Sequence, residues 1–210
     1  MKARQAASAA KNEKKAKMST KNMVLVAMMG AVSAVLMVLE FAVPFAPAFL
    51  KMDLSDLPVM LTTFMLGPAE GVLVALIKVG LRLVLKGTDT AFVGEIANII
   101  GAVSYLLPAA GVYHFKKGKT GAAAALLVGT LVVSVTSIFG NLYLTFPAFS
   151  KIYGMPMEVI IAMGTAINKN ITDLFTMMIF AVFPFNLFKY GILSVITFFV
   201  YKRLKNILFR

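Results

Sequence analysis

Residues 44–78 read PFAPAFLKMDLSDLPVMLTTFMLGPAEGVLVALIK, and the fold turns on this stretch. Two apolar segments, 57–66 and 71–77, meet at the break formed by Gly67, Pro68, Ala69, Glu70 and Gly71. Proline cannot continue a helix and glycine supplies a turn, so the break predicts a tight helical hairpin. In front of it, Lys51, Asp53 and Asp56 are set among bulky apolar residues. The flanking helices are apolar all round, so a loop of such mixed polarity belongs at a membrane face or over a cavity. It reads as a lid over a ligand rather than a spacer.

The chain has 210 residues, 60% of them hydrophobic, and one domain is the expectation at this length. Several runs approach the ~20 residues that span a bilayer, and none alternates with the period of two that a β-barrel needs. The fold class is therefore an all-α polytopic membrane protein. A formal net charge of +12 raises nucleic acid as a partner. The basic residues, however, concentrate at 2–21, at 114–119 and after Tyr201. All three clusters flank apolar runs, as cytoplasmic segments of membrane proteins do, and nucleic-acid binding is set aside. The absence of cysteine removes disulfides, thiolate catalysis and cysteine metal sites.

Residues 1–21 are predicted to be a basic cytoplasmic tail, and residues 22–210 a single six-helix transmembrane domain. The first helix is expected over 22–43, ending at Pro44, with Ala27, Gly30, Ala31 and Ala34 on one side. Small residues four apart let helices approach closely in a membrane, either within the bundle or against a partner. The second helix spans 57–66 and the third 68–85. Lys78, Arg82 and Lys86 recur every four residues on the third, and cations within a span must face a cavity, a partner or the interface. Glu40 and Glu70 are candidate counter-ions. The fourth helix covers 95–113 with a kink at Pro108, and the fifth 120–144, ending before Pro147. Residues 148–170 have room for a short surface helix, and 171–201 form the sixth helix, bent at Pro184. Six crossings place both termini and the His114 loop on the cytoplasmic side. The GKT at 118–120 lacks the upstream glycine and the strand of a phosphate loop, so no nucleotide site is assigned.

Counting ~1.5 Å per helical residue puts Asn98 ~24 Å from His114, Asn141 ~32 Å from Thr120, and Asn186 and Lys189 ~24 and ~20 Å from Lys202. These four side chains, from three helices, share the outer half of the membrane beneath the 44–57 loop. Asn186 and Lys189 are three apart on one helix face, offering an amide and an ammonium to a flat ligand with carbonyls and ring nitrogens. His114, the sole histidine, lies in the opposite loop. No catalytic group and no metal site is expected, and no inverted repeat of a secondary carrier is visible.

Three runs carry a family likeness: FLKMDLSDLPVMLTTFMLGPAEGVLVALIK at 49–78, GTDTAFVGEIANIIG at 87–101 and PFNLFKYGIL at 184–193. The chain resembles the substrate-binding S components of energy-coupling-factor vitamin transporters, those specific for riboflavin above all. The resemblance implies a multi-pass protein of the bacterial plasma membrane that binds riboflavin from outside as transported ligand, with no cofactor. It further implies assembly with a transmembrane coupling subunit and two cytoplasmic ATPases. Asn141, Asn186 and Lys189 would bind the vitamin, joined by Asn98, by Ala46, Phe49, Leu50 and Lys51 of the first loop, and by Gly94 and Glu95. Ala27, Ala31 and Ala34 would dock the coupling subunit. The chain departs from the family at Ala91 and Phe92, where a glycine pair is common, and at Val79 and Arg82, where asparagine and histidine are frequent. The alternatives are another vitamin or flavin analogue in the same fold, and a membrane protein whose small residues and asparagines only hold helices together.

Overall fold

The computed structural model describes residues 18–208; the expected tail at 1–21 lies outside them up to position 17. Helix α1 (Thr20–Val38) starts at Ser19, whose hydroxyl accepts the Asn22 N–H at 3.2 Å, a cap that satisfies one free donor of the first turn. The helix ends at Val38 and does not continue to Val43. Phe41 and Ala42 instead form strand β1 and pair antiparallel with β2 (Lys51–Met52), with Phe41 opposite Met52 and Ala42 opposite Lys51. The first loop is thus a small β-hairpin. What diverts the chain is Glu40, whose carboxylate is claimed by Lys86 at 2.8 Å, Lys51 at 3.1 Å and Arg82 at 3.3 Å.

The helical hairpin forms as expected from α2 (Asp56–Met65) and α3 (Pro68–Lys86). Gly67 takes φ 138°, open to glycine, and Pro68 opens α3, where a missing N–H costs nothing. A Cβ at Gly71 would lie 2.0 Å from Thr63 Oγ1, so glycine lets the two legs touch. Helix α4 (Val93–Phe115) runs unbroken through Pro108. Helix α5 (Lys119–Gly140) does not stop before Pro147: it widens into a π turn (Asn141–Thr145) and continues as α6 (Phe146–Tyr153). After α7 (Met157–Thr165), the short helix foreseen in this region, comes α8 (Leu174–Met177), capped by Asp173, then a second π turn (Met178–Val182) and α9 (Phe183–Leu208). Each π turn immediately precedes or includes the approach to a proline, Pro147 or Pro184. A residue without an N–H breaks the regular ladder there, and a wider turn absorbs the mismatch.

Two apolar cores result. The larger joins α2, α3, α4, α5 and α9 through Val59, Met60, Val74, Tyr105, Leu106, Leu126 and Leu193, all nearly sealed from solvent. The smaller sits at the hairpin end. There Val43, Ala46, Leu50 and Met52 pack on Phe146, Ile160, Ile171, Met178 and Phe185. The small residues of α1 separate onto two faces instead of sharing one. Gly30 and Ala34 turn inward, and Gly30 is so close to Ile77 of α3 that a Cβ would meet its side chain at 2.4 Å. Ala27 and Ala31 face outward.

Among the described residues, four helical stretches are long and apolar enough to cross a membrane: Thr20–Val38, Val93–Phe115, Lys119–Tyr153 and Leu174–Tyr201. The α2–α3 hairpin falls outside this set through its length and charge. Ten residues of α2 reach only ~15 Å, and α3 carries Glu70, Lys78, Arg82 and Lys86.

Candidate functional site

The 51–56 segment, KMDLSD, brings two aspartates into the bundle, and each meets a lysine from a helix. Asp56 pairs with Lys78 of α3, both almost completely buried, and also accepts the Tyr190 hydroxyl at 3.2 Å. Asp53 pairs with Lys189 of α9 at 2.6 Å. Ser55 links the two pairs. It donates its N–H (2.8 Å) and hydroxyl to Asp53 Oδ1 and accepts from Lys78 at 3.0 Å. Its carbonyl takes the hydroxyl of Ser33 on α1. Burial opposes ionisation of Asp53, but Lys189 and Lys78 outweigh it and hold the carboxyl down at about 2.

A second cluster surrounds Arg82. Its guanidinium contacts Glu95 at 2.7 Å, Glu40 at 3.3 Å and Asp89 at 3.7 Å. Glu95 is held further by Thr90 (2.7 Å) and Thr88 (3.2 Å). Burial opposes ionisation of Glu40 too, and hydrogen bonds from Lys86 and Lys51 overcome it, keeping its carboxyl below the usual range. The counter-ion expected at Glu40 is thus present for Arg82 and Lys86, whereas Lys78 takes Asp56 at the start of α2.

Between these clusters lies a cavity of about 240 Å³, close to the roughly 300 Å³ at which small-molecule sites begin. Asn98, Asn141, Asn186 and Lys189, expected at one depth, all line it. So do Phe49, Leu50 and Lys51 of the hairpin, and Gly94 and Glu95 at the start of α4. Ala46 does not; it is buried in the smaller core, holding the hairpin down. The π turns set the asparagines. Asn141 opens the first and Asn186 follows the second, and each side-chain amide donates to the carbonyl four residues earlier, Ser137 and Val182, at 2.8 Å. That leaves each Oδ1 for a donor. The Asn98 Oδ1 and the Arg82 Nε are buried without a hydrogen-bond partner, and both residues line the cavity. Buried polar atoms are nearly always paired, so both are free to bond a group inside the cavity. The wall therefore offers acceptors on three asparagines and a lysine donor, with aromatic rings of Phe49 and Phe146 meeting edge to face at 5.3 Å beside them.

Sequence reasoning missed Asp53 and Glu40 as cavity residues; Arg82, read as facing a cavity, a partner or the interface, lines the cavity. The signal for Asp53 was its place in the mixed-polarity loop. Nothing local marks Glu40, whose role depends on cations 42 and 46 residues away.

The residues at 21–201 match the family described as "ECF transporter, substrate-specific component". The chain belongs to this family. It is 30% identical over 195 residues to the riboflavin transporter RibU of Staphylococcus aureus, covering 90% of this chain and 93% of that protein. It is likewise 30% identical over 189 residues to the riboflavin transporter FmnP of Bacillus subtilis, covering 90% and 94%. A solved structure of the S component of a bacterial ECF transporter matches with a TM-score of 0.72 and 30% identity, over 92% of this chain and 100% of that one. The chain is accordingly a multi-pass membrane protein with the S-component fold, a transporter subunit and not an enzyme.

The loop between α3 and α4 departs from ordinary backbone geometry. Ala91 (φ 45°) and Phe92 (φ 68°) are left-handed, where a side chain costs about 1–2 kcal/mol per residue. The threonine hydroxyls hold this shape: Thr88 accepts the N–H of Thr90 (3.2 Å) and Phe92 (3.0 Å), and Thr90 accepts that of Gly94 (3.0 Å). Phe92 is 56% exposed and buries little apolar surface. Phe92→Gly should therefore stabilise the protein by roughly 0.5–1 kcal/mol after the entropy of glycine is subtracted. A thermal melt in detergent checks this, and a lowered midpoint would show that the left-handed turn carries no strain.

Proposed function

We propose that the cavity binds riboflavin and that the chain delivers it to an ATP-driven transporter complex. The observation that carries this reading is the cavity's unpartnered Asn98 acceptor, set beside two asparagine acceptors and Lys189. Riboflavin offers an imide N–H and ribityl hydroxyls to the acceptors, and ring carbonyls and nitrogens to the lysine. The relatives named riboflavin transporters support the same ligand. A bundle in which asparagines only hold helices together would pair those polar atoms internally. Removing one hydrogen bond to ligand in such a site costs roughly 1–1.5 kcal/mol for a neutral partner, about tenfold in affinity. Asn141→Leu and Asn186→Leu should each weaken riboflavin binding by about that factor in a fluorescence-quenching titration. A wild-type protein that fails to quench riboflavin, yet quenches another flavin, would change the ligand and keep the site.

The proposed topology has six crossings, with both termini and the 114–119 loop cytoplasmic and the hairpin outside. Residues 22–210 form the transmembrane domain and 1–21 the basic tail, in a bacterial plasma membrane. Support comes from the three basic clusters and from Phe64 near the end of α2. That ring lies 4.6 Å from Tyr113 and 5.7 Å from Tyr201, next to the basic ends of α4 and α9. The α2–α3 hairpin then completes the two crossings that length and charge obscure. The chain has no native cysteine, so single cysteines at Lys117 and Lys151 can be probed with an impermeant reagent. Position 151 should label in intact cells and position 117 should not; the reverse pattern refutes the orientation.

The partners proposed are a transmembrane coupling subunit and two cytoplasmic ATPases. Ala27 and Ala31 present a small-residue face away from the bundle, where a partner helix can approach closely. Ala34 is 1% exposed and packs within the chain, so it is left out of the docking face. Replacing Ala27 and Ala31 together with leucine should leave riboflavin affinity near normal and abolish uptake and co-purification of the coupling subunit. Normal uptake by the well-expressed double variant would remove these alanines from the interface.

A further inference from the structure

Lys189 is a flexible side chain in the cavity wall, and its charge has one counter-ion within ion-pair distance, Asp53 at 2.6 Å. Both side chains are more than nine-tenths buried, and both line the cavity. The Asp53 carboxylate is itself immobilised. Its Oδ1 takes two hydrogen bonds from Ser55, at the entrance to α2, while Oδ2 takes the lysine. An ammonium has three donors, and Asp53 occupies one. The Tyr190 ring, 5.9 Å from Nζ, adds a weaker attraction on another side. Without Asp53, the four-carbon stem could turn in several rotamers, and the charge would lose its paired counter-ion.

We infer that Asp53 is the positioning residue of the flavin site: anchored by Ser55, it fixes the ammonium of Lys189 so that its free donors point into the cavity. This rests on the riboflavin reading above and deepens it, because Asp53 acts through Lys189 instead of touching the vitamin. The geometry has a second consequence. Asp53 belongs to the segment that follows β2, 136 residues before its partner. The same ion pair that aims the lysine therefore fastens the hairpin side of the cavity to α9.

A double-mutant cycle separates this role from a structural one. Riboflavin titrations are run on the full chain in detergent for wild type, Asp53→Asn, Lys189→Met and the double variant, with folding followed by size-exclusion chromatography and thermal melting. Each single change should weaken binding roughly ten- to hundredfold, as expected for hydrogen bonds to a charged group. The double variant should bind no more weakly than Lys189→Met alone, because the aspartate has nothing left to position. Losses that multiply in the double variant would overturn the inference by giving Asp53 an independent role. Wild-type affinity in folded Asp53→Asn would overturn it as well. Unchanged affinity in Lys189→Met, whatever happens at Asp53, would instead refute the reading that this lysine meets riboflavin, and the positioning role would fall with it. Should Asp53→Asn not fold, Asp53→Glu keeps the charge and displaces the carboxylate by one methylene. Weakened binding in that folded variant supports positioning, and unaltered binding overturns it.

Discussion

Charge placed in an apolar body must be matched, and that constraint shapes this protein more than any other. The penalty for withdrawing an ion from water amounts to several kcal/mol, so breaking one partner of a buried pair is far more damaging than never having had the pair. Two aspartates three residues apart in one short segment, Asp53 and Asp56, reach lysines on α9 and α3 respectively. Ser55 between them carries the contact on to Ser33 of α1. Four parts of the chain far apart in sequence are thereby fixed to a single polar knot at the cavity floor. Around it the aliphatic core needs only to be well filled. A separate set of charges about Arg82 fixes the loop entering α4 and the turn leaving α1.

Backbone irregularity supplies what ordinary helices cannot. In a regular α-helix each residue advances by the same angle, and three helices would have to be rotated together to aim three asparagines at one point. The π turns at Asn141–Thr145 and Met178–Val182 insert local changes of phase, a device found often at functional sites. Pro147 and Pro184 account for their positions. The carbonyls of Ser137 and Val182 receive asparagine amides, so the same sites that disturb the helices orient the side chains that face the cavity.

Much of this was legible in the sequence, and the parts that were not share a cause. The helical hairpin followed from Gly67 and Pro68, and the common depth of Asn98, Asn141, Asn186 and Lys189 followed from counting along helices, because both are local regularities. The shortening of α1 was hidden, since the pull on Glu40 comes from Lys51, Arg82 and Lys86. Continuation past Pro147 was hidden as well: a proline reads as a stop unless the turn before it can widen. Grouping Gly30 and Ala34 with Ala27 and Ala31 failed because all four are small and a modest rotation about the helix axis decides which pair is buried. The role of Asp53 was half visible, as a charge in an apolar loop without its partner.

Strands of two residues are too short to make a hairpin stable by pairing alone. The closed arrangement of residues 41–52 is supplied by the smaller core, through Val43, Ala46, Leu50 and Met52, and by the ion pair next door. This makes the hairpin a cooperative unit of its own, able to come loose at less than the free energy of global unfolding while the helices stay assembled. Because Phe49, Leu50 and Lys51 line the cavity, the hairpin forms one of its walls. A substitution at Val43, Ala46 or Met52 would loosen that wall without altering a side chain that lines the cavity.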